Sequence, residues 1–304
     1  VKKLLDKAIA LRNSLNTKTD QRFVRERDMG EQIPKIIHQT YFQSPSDPDF
    51  PAELKANIGA LKCLNPSWDY RFYTDDDIER YIAIHFPELI ELYHKIDPRY
   101  GAARADFFRY LVIYNEGGVY LDVKSGASKP LDELLQDSDK IVLSHWPRSW
   151  PKIMLGQHPG ISNPIGELQQ WYIISVAGHP FLESVINNVC NNISHYNPVL
   201  HDYGSWGVFN LTGPIAFTEA IYPLLDHYLH RLEDDHLRVG LTYCAIGPEN
   251  STGGHHLVFS RKHYSKIQAP IVKVPFYLQA LFCVSKPSIK ILKILYNIRT
   301  IATG

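Results

Sequence analysis

The chain has no charge excess of either sign: across its 304 residues, Lys plus Arg and Asp plus Glu number 32 each. Nucleic-acid binders usually carry a basic excess, so nucleic acid is not expected as a partner. Cysteine is scarce. Cys63, Cys190, Cys244 and Cys283 stand too far apart for a CxxC pair, which removes the usual zinc-knuckle spacings and leaves four buried, reduced thiols as the expectation. No run of about 18 apolar residues occurs, the length a helix needs to cross a bilayer. There is no GxxxxGK[ST] phosphate loop and no GxSxG nucleophile elbow, which excludes P-loop and standard esterase arrangements. Hydrophobic residues make up 44% and charged residues 21%, the balance of a globular chain rather than a disordered one.

What is present is an alternation of helical and strand patterns. Residues 1–29 read as a polar helix, with Leu4, Leu5, Ala8, Ile9, Leu11 and Leu15 at helical spacing. Lys35 to Phe42 reads as a buried strand, residues 52–64 as a helix and Tyr70 to Tyr73 as a short strand. Thr74 caps a helix whose acidic start, Asp75-Asp76-Asp77, suits the positive end of the helix dipole better than it suits a metal. Ala102 to Tyr114 is a strong helix with Phe107, Phe108, Leu111 and Val112 on one apolar side; Gly117-Gly118 ends it, and Val119 to Val123 follows as a strand. The alternation implies an α/β fold with a mostly parallel sheet. Near the end, Ile291, Leu292, Ile294, Leu295, Ile298 and Ile301 face Lys286, Lys290 and Lys293 across a helical pattern. Such a basic amphipathic helix either makes a peripheral contact with an anionic membrane or docks on the core. The expected organisation is an N-terminal helical appendage (1–30), one α/β domain (31–284) and this C-terminal helix (285–304).

Chemistry-bearing residues concentrate in Arg104-Ala105-Asp106-Phe107-Phe108-Arg109 and in Gly117-Gly118-Val119-Tyr120-Leu121-Asp122. Asp106 and Arg109, three apart, share a helix face, whereas Arg104 lies on another side. Asp122 emerges at the carboxyl end of a strand, where open α/β sheets bind ligands. The bland alternative is an ordinary helix ion pair and a turn aspartate.

The stretch RADFFRYLVIYNEGGVYLD resembles the central signature of the family-32 glycosyltransferases, named for a DXD motif. IPKIIHQTYF, NPSWDYRFYTDDD, GHPFLESVI and TGPIAFTEAI resemble further blocks of that family, in order, and clostridial glucosylating toxins resemble the central region more distantly. The resemblance implies a GT-A (Rossmann-like) fold with a mixed, mostly parallel central sheet and helical appendages. It implies a retaining transferase that takes a nucleotide-sugar donor, a UDP-hexose or UDP-N-acetylhexosamine first and GDP-mannose second. The implied acceptor is a glycan, lipid-linked at a membrane surface, in cell-surface polysaccharide synthesis. The alternative is a noncatalytic sugar-nucleotide or glycan-binding protein. The implied compartment is the cytoplasmic face of a bacterial membrane, with the Golgi lumen, after loss of an anchor, as the alternative.

By the same resemblance, Asp106, Arg109 and Asp122 are the catalytic candidates, and His38, Gln39, Thr40, Arg104, Tyr120 and Lys124 join them in donor binding. One departure matters. The second acid of DXD is replaced by Lys124, and an ammonium cannot ligate a metal. Three readings stay open. Lys124 itself neutralises the diphosphate, making the reaction metal-independent. Alternatively, Mn²⁺ or Mg²⁺ persists, held by Asp122 with His255 or His256. In the third reading Lys124 points to solvent and activity is weak or absent.

Overall fold

The computed structural model of the protein describes residues 21–147, 161, 163–246 and 264–285. From Ile36 the chain runs through β1 (Ile36–Thr40), α1 (Ala52–Leu64), β2 (Asp69–Tyr73), α2 (Asp75–His85), α3 (Ile90–Lys95), α4 (Gly101–Glu116) and β3 (Gly118–Leu121). It continues through β4 (Gly126–Ala127), α5 (Leu131–Leu134), β5 (Ile141–Ser144), β6 (Tyr172–Ser175) and α6 (Pro180–Ser194). Then come α7 (Gly204–Leu211), α8 (Pro214–Ile221), β7 (Arg231–Glu233), α9 (His236–Val239) and β8 (Leu241–Thr242). Residues 276–285 form a further helix, α10.

Six strands make one sheet in the order β2-β1-β3-β6-β5-β7. Five point the same way, and β6 runs against both its neighbours. The expected α/β architecture with a mixed, mostly parallel sheet is therefore present. Strand alternation sends Ile37, Val119 and Leu121 to one face, where they pack with Trp171, Ile174 and Leu241. His38 and Tyr120, register partners across β1 and β3, face α4, whose Phe107, Phe108, Leu111 and Val112 form the larger core with α6.

Local chemistry explains the elements that place the site. Thr74 and Asp77 close a capping box, each side chain accepting from the other's backbone N–H, so the acidic triplet starts a helix as expected. α4 departs from the expected one-sided helix: Asp106 through Tyr114 are buried without a break. A helix buried on all sides belongs to the core, and Asp106 and Arg109 go inside with it. Gly117 and Gly118 turn the chain into β3 at φ +73° and +100°. A Cβ would lie 2.7 Å from Ala177 N at the first and 2.6 Å from Ile36 O at the second, so a side chain fits at neither.

Two expectations are corrected. Residues 21–30 are not helical. They run irregularly over the domain, held by the Phe23 N–H on Asn187 Oδ1, by the Tyr114 hydroxyl on the Arg25 carbonyl and by the Gly30 N–H on the Ala177 carbonyl. Tertiary hydrogen bonds rather than a helix fix this segment, and the apolar pattern at positions 4–15 lies outside the described residues. The four cysteines are free, but Cys63 and Cys283 are exposed; only Cys190 and Cys244 are buried. Residues 1–20, the C-terminal pattern from 286 onward, His255 and His256 lie outside the described residues. Among the described residues, no helix is long and apolar enough to cross a membrane.

Candidate functional site

The Gly117-Gly118 turn folds α4 back along β3, which brings the first turns of the helix level with the strand's carboxyl end. Arg109 is the centre of what meets there. Its Nη2 lies 2.9 Å from Asp122 Oδ1 and 3.3 Å from Asp106 Oδ1. Its Nη1 donates to the Gln170 carbonyl at 2.6 Å and to Gln170 Oε1 at 2.7 Å. The guanidinium also lies over the Tyr120 ring, 4.7 Å from its centroid, a cation–π contact strengthened by burial. Gln170 donates to Asp106 Oδ1 at 3.2 Å, and Thr212 Oγ1 donates to Asp106 Oδ2 at 3.0 Å. The Thr212 carbonyl in turn accepts from the Tyr110 hydroxyl at 2.7 Å. Arg109 Nε is left, buried, with no partner among the described residues.

Burial sets the electrostatics. The side chains of Asp106 and Arg109 are each 5% exposed, that of Asp122 24%. Asp122 is thus the member that opens outward. Burial pushes the Asp106 carboxyl up to about 6, against the opposing pull of Arg109 and Thr212. Burial disfavours charge on Arg109, but Asp122, Tyr120 and Asp106 outweigh it and raise its pKa, so the guanidinium stays protonated.

Lys124, two residues beyond Asp122, is turned inward, which removes the reading that it points to solvent. Its Nζ donates to the Tyr243 hydroxyl at 3.0 Å and sits 4.1 Å from the centroid of the same ring. Burial alone would lower its pKa, but Tyr243 and the Asp122 carboxylate outweigh burial and raise it, so the ammonium stays charged. Tyr243 is set by Trp146 and Trp171, whose rings meet it edge-on at 5.1 and 5.4 Å. An ammonium has three donors, and one hydrogen bond engages Lys124 among the described residues.

The remaining expected residues are placed differently. Gln39 steadies the strand end, its Nε2 donating to the Asp122 carbonyl at 3.2 Å while its Oε1 accepts from the Tyr70 hydroxyl at 2.8 Å. Thr40 Oγ1 is engaged by the Tyr73 carbonyl. His38 lies in the core, with Nδ1 3.1 Å from the Tyr73 hydroxyl and Nε2 3.1 Å from the Gly117 carbonyl; burial lowers its pKa to about 4, so it is neutral. Arg104 faces away from the cluster, donating to the Ile96 carbonyl and lying over the Tyr93 ring. Gln170, Thr212, Tyr243 and Tyr264 were not singled out from the sequence. Tyr264 stands within electrostatic reach of Tyr243, Asp106 and Asp122, and burial first, then those groups, raise its phenol pKa. Thr212 alone had a signal, since it opens the TGPIAFTEAI block.

The donor set bears on a metal. No group of three or more His, Cys, Asp or Glu side chains converges to hold an ion among the described residues. Asp122 offers one carboxylate whose Oδ1 already accepts from Arg109, and Lys124 occupies the place of the second acid. Divalent cations of this class take about six oxygen ligands. The described residues by themselves do not fit one.

Residues 51–141 match the family model described as "Glycosyltransferase sugar-binding region containing DXD motif". The matched stretch is what this chain shares with that family description. It holds Arg104, Asp106, Arg109, Tyr120, Asp122 and Lys124, with His38, Gln39 and Thr40 just ahead of it. Among curated relatives, inositol phosphoceramide mannosyltransferase 3 of Schizosaccharomyces pombe is 32% identical over 52% of this chain and 37% of its own length. The initiation-specific alpha-1,6-mannosyltransferase of Candida albicans is 26% identical over 68% of this chain and 57% of its own. The chain thus spans about half the length of the curated relatives it matches. Among solved structures, the PaToxG glycosyltransferase aligns at TM-score 0.44 and 18% identity, over 73% of this chain and 79% of that one. The UDP-bound glycosyltransferase domain of the YGT toxin aligns at 0.44 and 7%, over 68% and 80%.

Proposed function

We propose that the protein is a retaining glycosyltransferase that moves a hexose from a nucleotide-diphosphate sugar to a glycan acceptor, with residues 31–284 as its catalytic unit. The observation that carries this reading is Lys124: a buried, charged ammonium beside Asp122, with donors to spare at the end of β3. Its one hydrogen bond among the described residues goes to a neutral phenol, so two of its three donors remain for an anion. A diphosphate is such an anion. When the bond between the anomeric carbon and the diphosphate oxygen breaks, negative charge grows on the leaving group, and a preplaced cation stabilises that growth. Asp122, the outward-facing carboxylate, accepts from hydroxyls of the sugar. Arg109 holds Asp122, and Asp106, Gln170 and Thr212 hold Arg109, so orientation of the donor rests on a rigid set. The acceptor hydroxyl attacks the face the diphosphate leaves, and its proton passes to the departing phosphate oxygen.

The mannosyltransferase names of the curated relatives support ranking GDP-mannose, a mannosyl donor, before the UDP-sugars, and support a lipid-linked acceptor. Their fungal origin favours the Golgi lumen over a bacterial cell-surface pathway.

The test is release of nucleoside diphosphate from GDP-mannose, UDP-glucose and UDP-N-acetylglucosamine by the purified chain, with chelator and with added Mn²⁺. Release from at least one donor, falling about a hundredfold in Lys124→Met, is the expected result. Binding without release would leave a sugar-nucleotide-binding protein and overturn the transferase reading. Full activity of Lys124→Met would overturn the role given to the ammonium.

A further inference from the structure

The C-terminal region departs sharply from the neutral chain as a whole. Residues 250–304 contain eight Lys and Arg and not one Asp or Glu, so the rest of the chain carries an equal acidic excess. Within this acid-free stretch, α10 is seated by a single buried side chain. Phe282 meets the Tyr203 ring edge-on at 5.2 Å, at the start of α7. Leu278 is half-buried, while Phe276, Tyr277, Leu281 and Val284 face outward, 86, 69, 51 and 80% exposed. Tyr277, Leu281 and Val284 fall at i, i+4 and i+7, which lines them along one side of the helix. Phe276 and the exposed Ala280 widen that side. Lys266 and Lys273, both exposed, lie in the segment that leads into α10.

We infer that this face of α10 docks on an anionic lipid bilayer. An aqueous surface gives no reason to hold Phe, Tyr, Leu and Val outward on one helix side. A membrane interface does: aliphatic and aromatic groups enter the boundary of the acyl chains, and lysines reach the headgroups while their stems stay apolar. The charge selects the partner. The described charges next to α10 in the chain, Lys266 and Lys273, would repel their counterparts across a contact with a second copy, whereas an anionic bilayer attracts both. The surface also has a defined relation to the site. α7 runs from the Tyr203 contact to Leu211, a rise of about 12 Å for its eight residues, and the next residue is Thr212, which holds Asp106. Docking would therefore set the Arg109 cluster about one short helix from the membrane. The inference does not depend on what group the site transfers.

The experiment is flotation of the full chain with phosphatidylcholine vesicles, with and without phosphatidylserine, in the absence of any sugar donor. The chain is expected to float with the phosphatidylserine vesicles and to be released at high salt, where the Debye length falls to about 3 Å. Leu281→Ser with Val284→Ser should lower the bound fraction about tenfold without changing the melting temperature, since both side chains are exposed. Lys266→Glu with Lys273→Glu should lower it on anionic vesicles and keep the melting temperature. Failure to bind anionic vesicles, or unchanged binding by the serine variant, would overturn the inference. So would a dimer in solution that the serine variant dissolves while lipid binding is absent; that result would assign the face to a second copy.

Discussion

Two buried cations stand near the end of β3, and they are treated in opposite ways. Arg109 is surrounded: two carboxylates, the carbonyl and amide of Gln170 and the Tyr120 ring account for all of its guanidinium but Nε. Lys124 has one phenol as both hydrogen-bond partner and ring partner. The first arrangement is satisfied from within and serves to fix geometry. The second is an incomplete charge, stabilised well enough to stay protonated and still able to receive an anion. A cation that organises a site and a cation that binds at it can thus be told apart by counting the partners they already have.

The largest effect separating the two should come from Arg109→Ala. Removing one member of a buried ionic cluster strands the others, and we expect a loss of about 3–5 kcal/mol of stability, read as a lower denaturant midpoint, together with loss of transfer. Asp106→Ala should behave similarly, because it leaves Arg109 with a weaker hold; Asp106→Asn is the cleaner test, as it keeps the shape and removes the charge. Lys124→Met should differ: a fall in transfer of about a hundredfold or more with a smaller loss of stability than Arg109→Ala, because it removes one hydrogen bond to a phenol and an attraction to Asp122 rather than the centre of a buried ionic cluster. Equal losses of stability in Arg109→Ala and Lys124→Met would erase the distinction.

Smaller effects sharpen it. Tyr243→Phe keeps the ring under Lys124 and removes its hydrogen bond. A single hydrogen bond to a charged group contributes about 1.5–3 kcal/mol, so we expect transfer to fall by about tenfold or more, with the lysine itself still required. The pH dependence of folding provides a further check. Burial lowers His38, His179 and His236 to about 4 each, below the ordinary histidine value of about 6.5. The unfolded chain therefore takes up protons that the folded chain refuses, and stability falls as pH drops from 6.5 towards 4. Asp106 works in the opposite direction: raised to about 6, it binds its proton more tightly when folded, so its contribution weakens as pH rises from about 4 to 6. Three imidazoles outweigh one carboxyl, and the denaturant midpoint should be lower at pH 5 than at pH 7. Asp106→Asn should steepen that loss by removing the opposing group; a flatter profile in the variant would contradict the assignment.

Much of the framework was legible in the sequence because its signals are local. The helix at 52–64, the Thr74 cap and the glycine pair that ends α4 each declare themselves within a few residues. The meeting of Asp106, Arg109 and Asp122 was legible too, since a helix, a tight turn and a strand fix it within one supersecondary unit. Gln170 and Thr212 were not. They arrive from β6's entry and from the α7–α8 turn, 61 and 106 residues away from the Arg109 and Asp106 they hold, and no local pattern announces such partners. His38 and Arg104 had the right residue types for a site, but strand alternation and helix rotation turned them into the core and towards Ile96. Lys124 was recognised as a departure, yet its inward orientation depends on Tyr243, more than a hundred residues later.

On the proposed function, Lys124 grips the diphosphate. The most direct measurement is the affinity of the wild-type chain and of Lys124→Met for GDP and UDP, set against guanosine and uridine, by calorimetry. The variant should lose about tenfold or more in affinity for the diphosphate that binds and none for the matching nucleoside. Equal diphosphate affinity in the two proteins would contradict it.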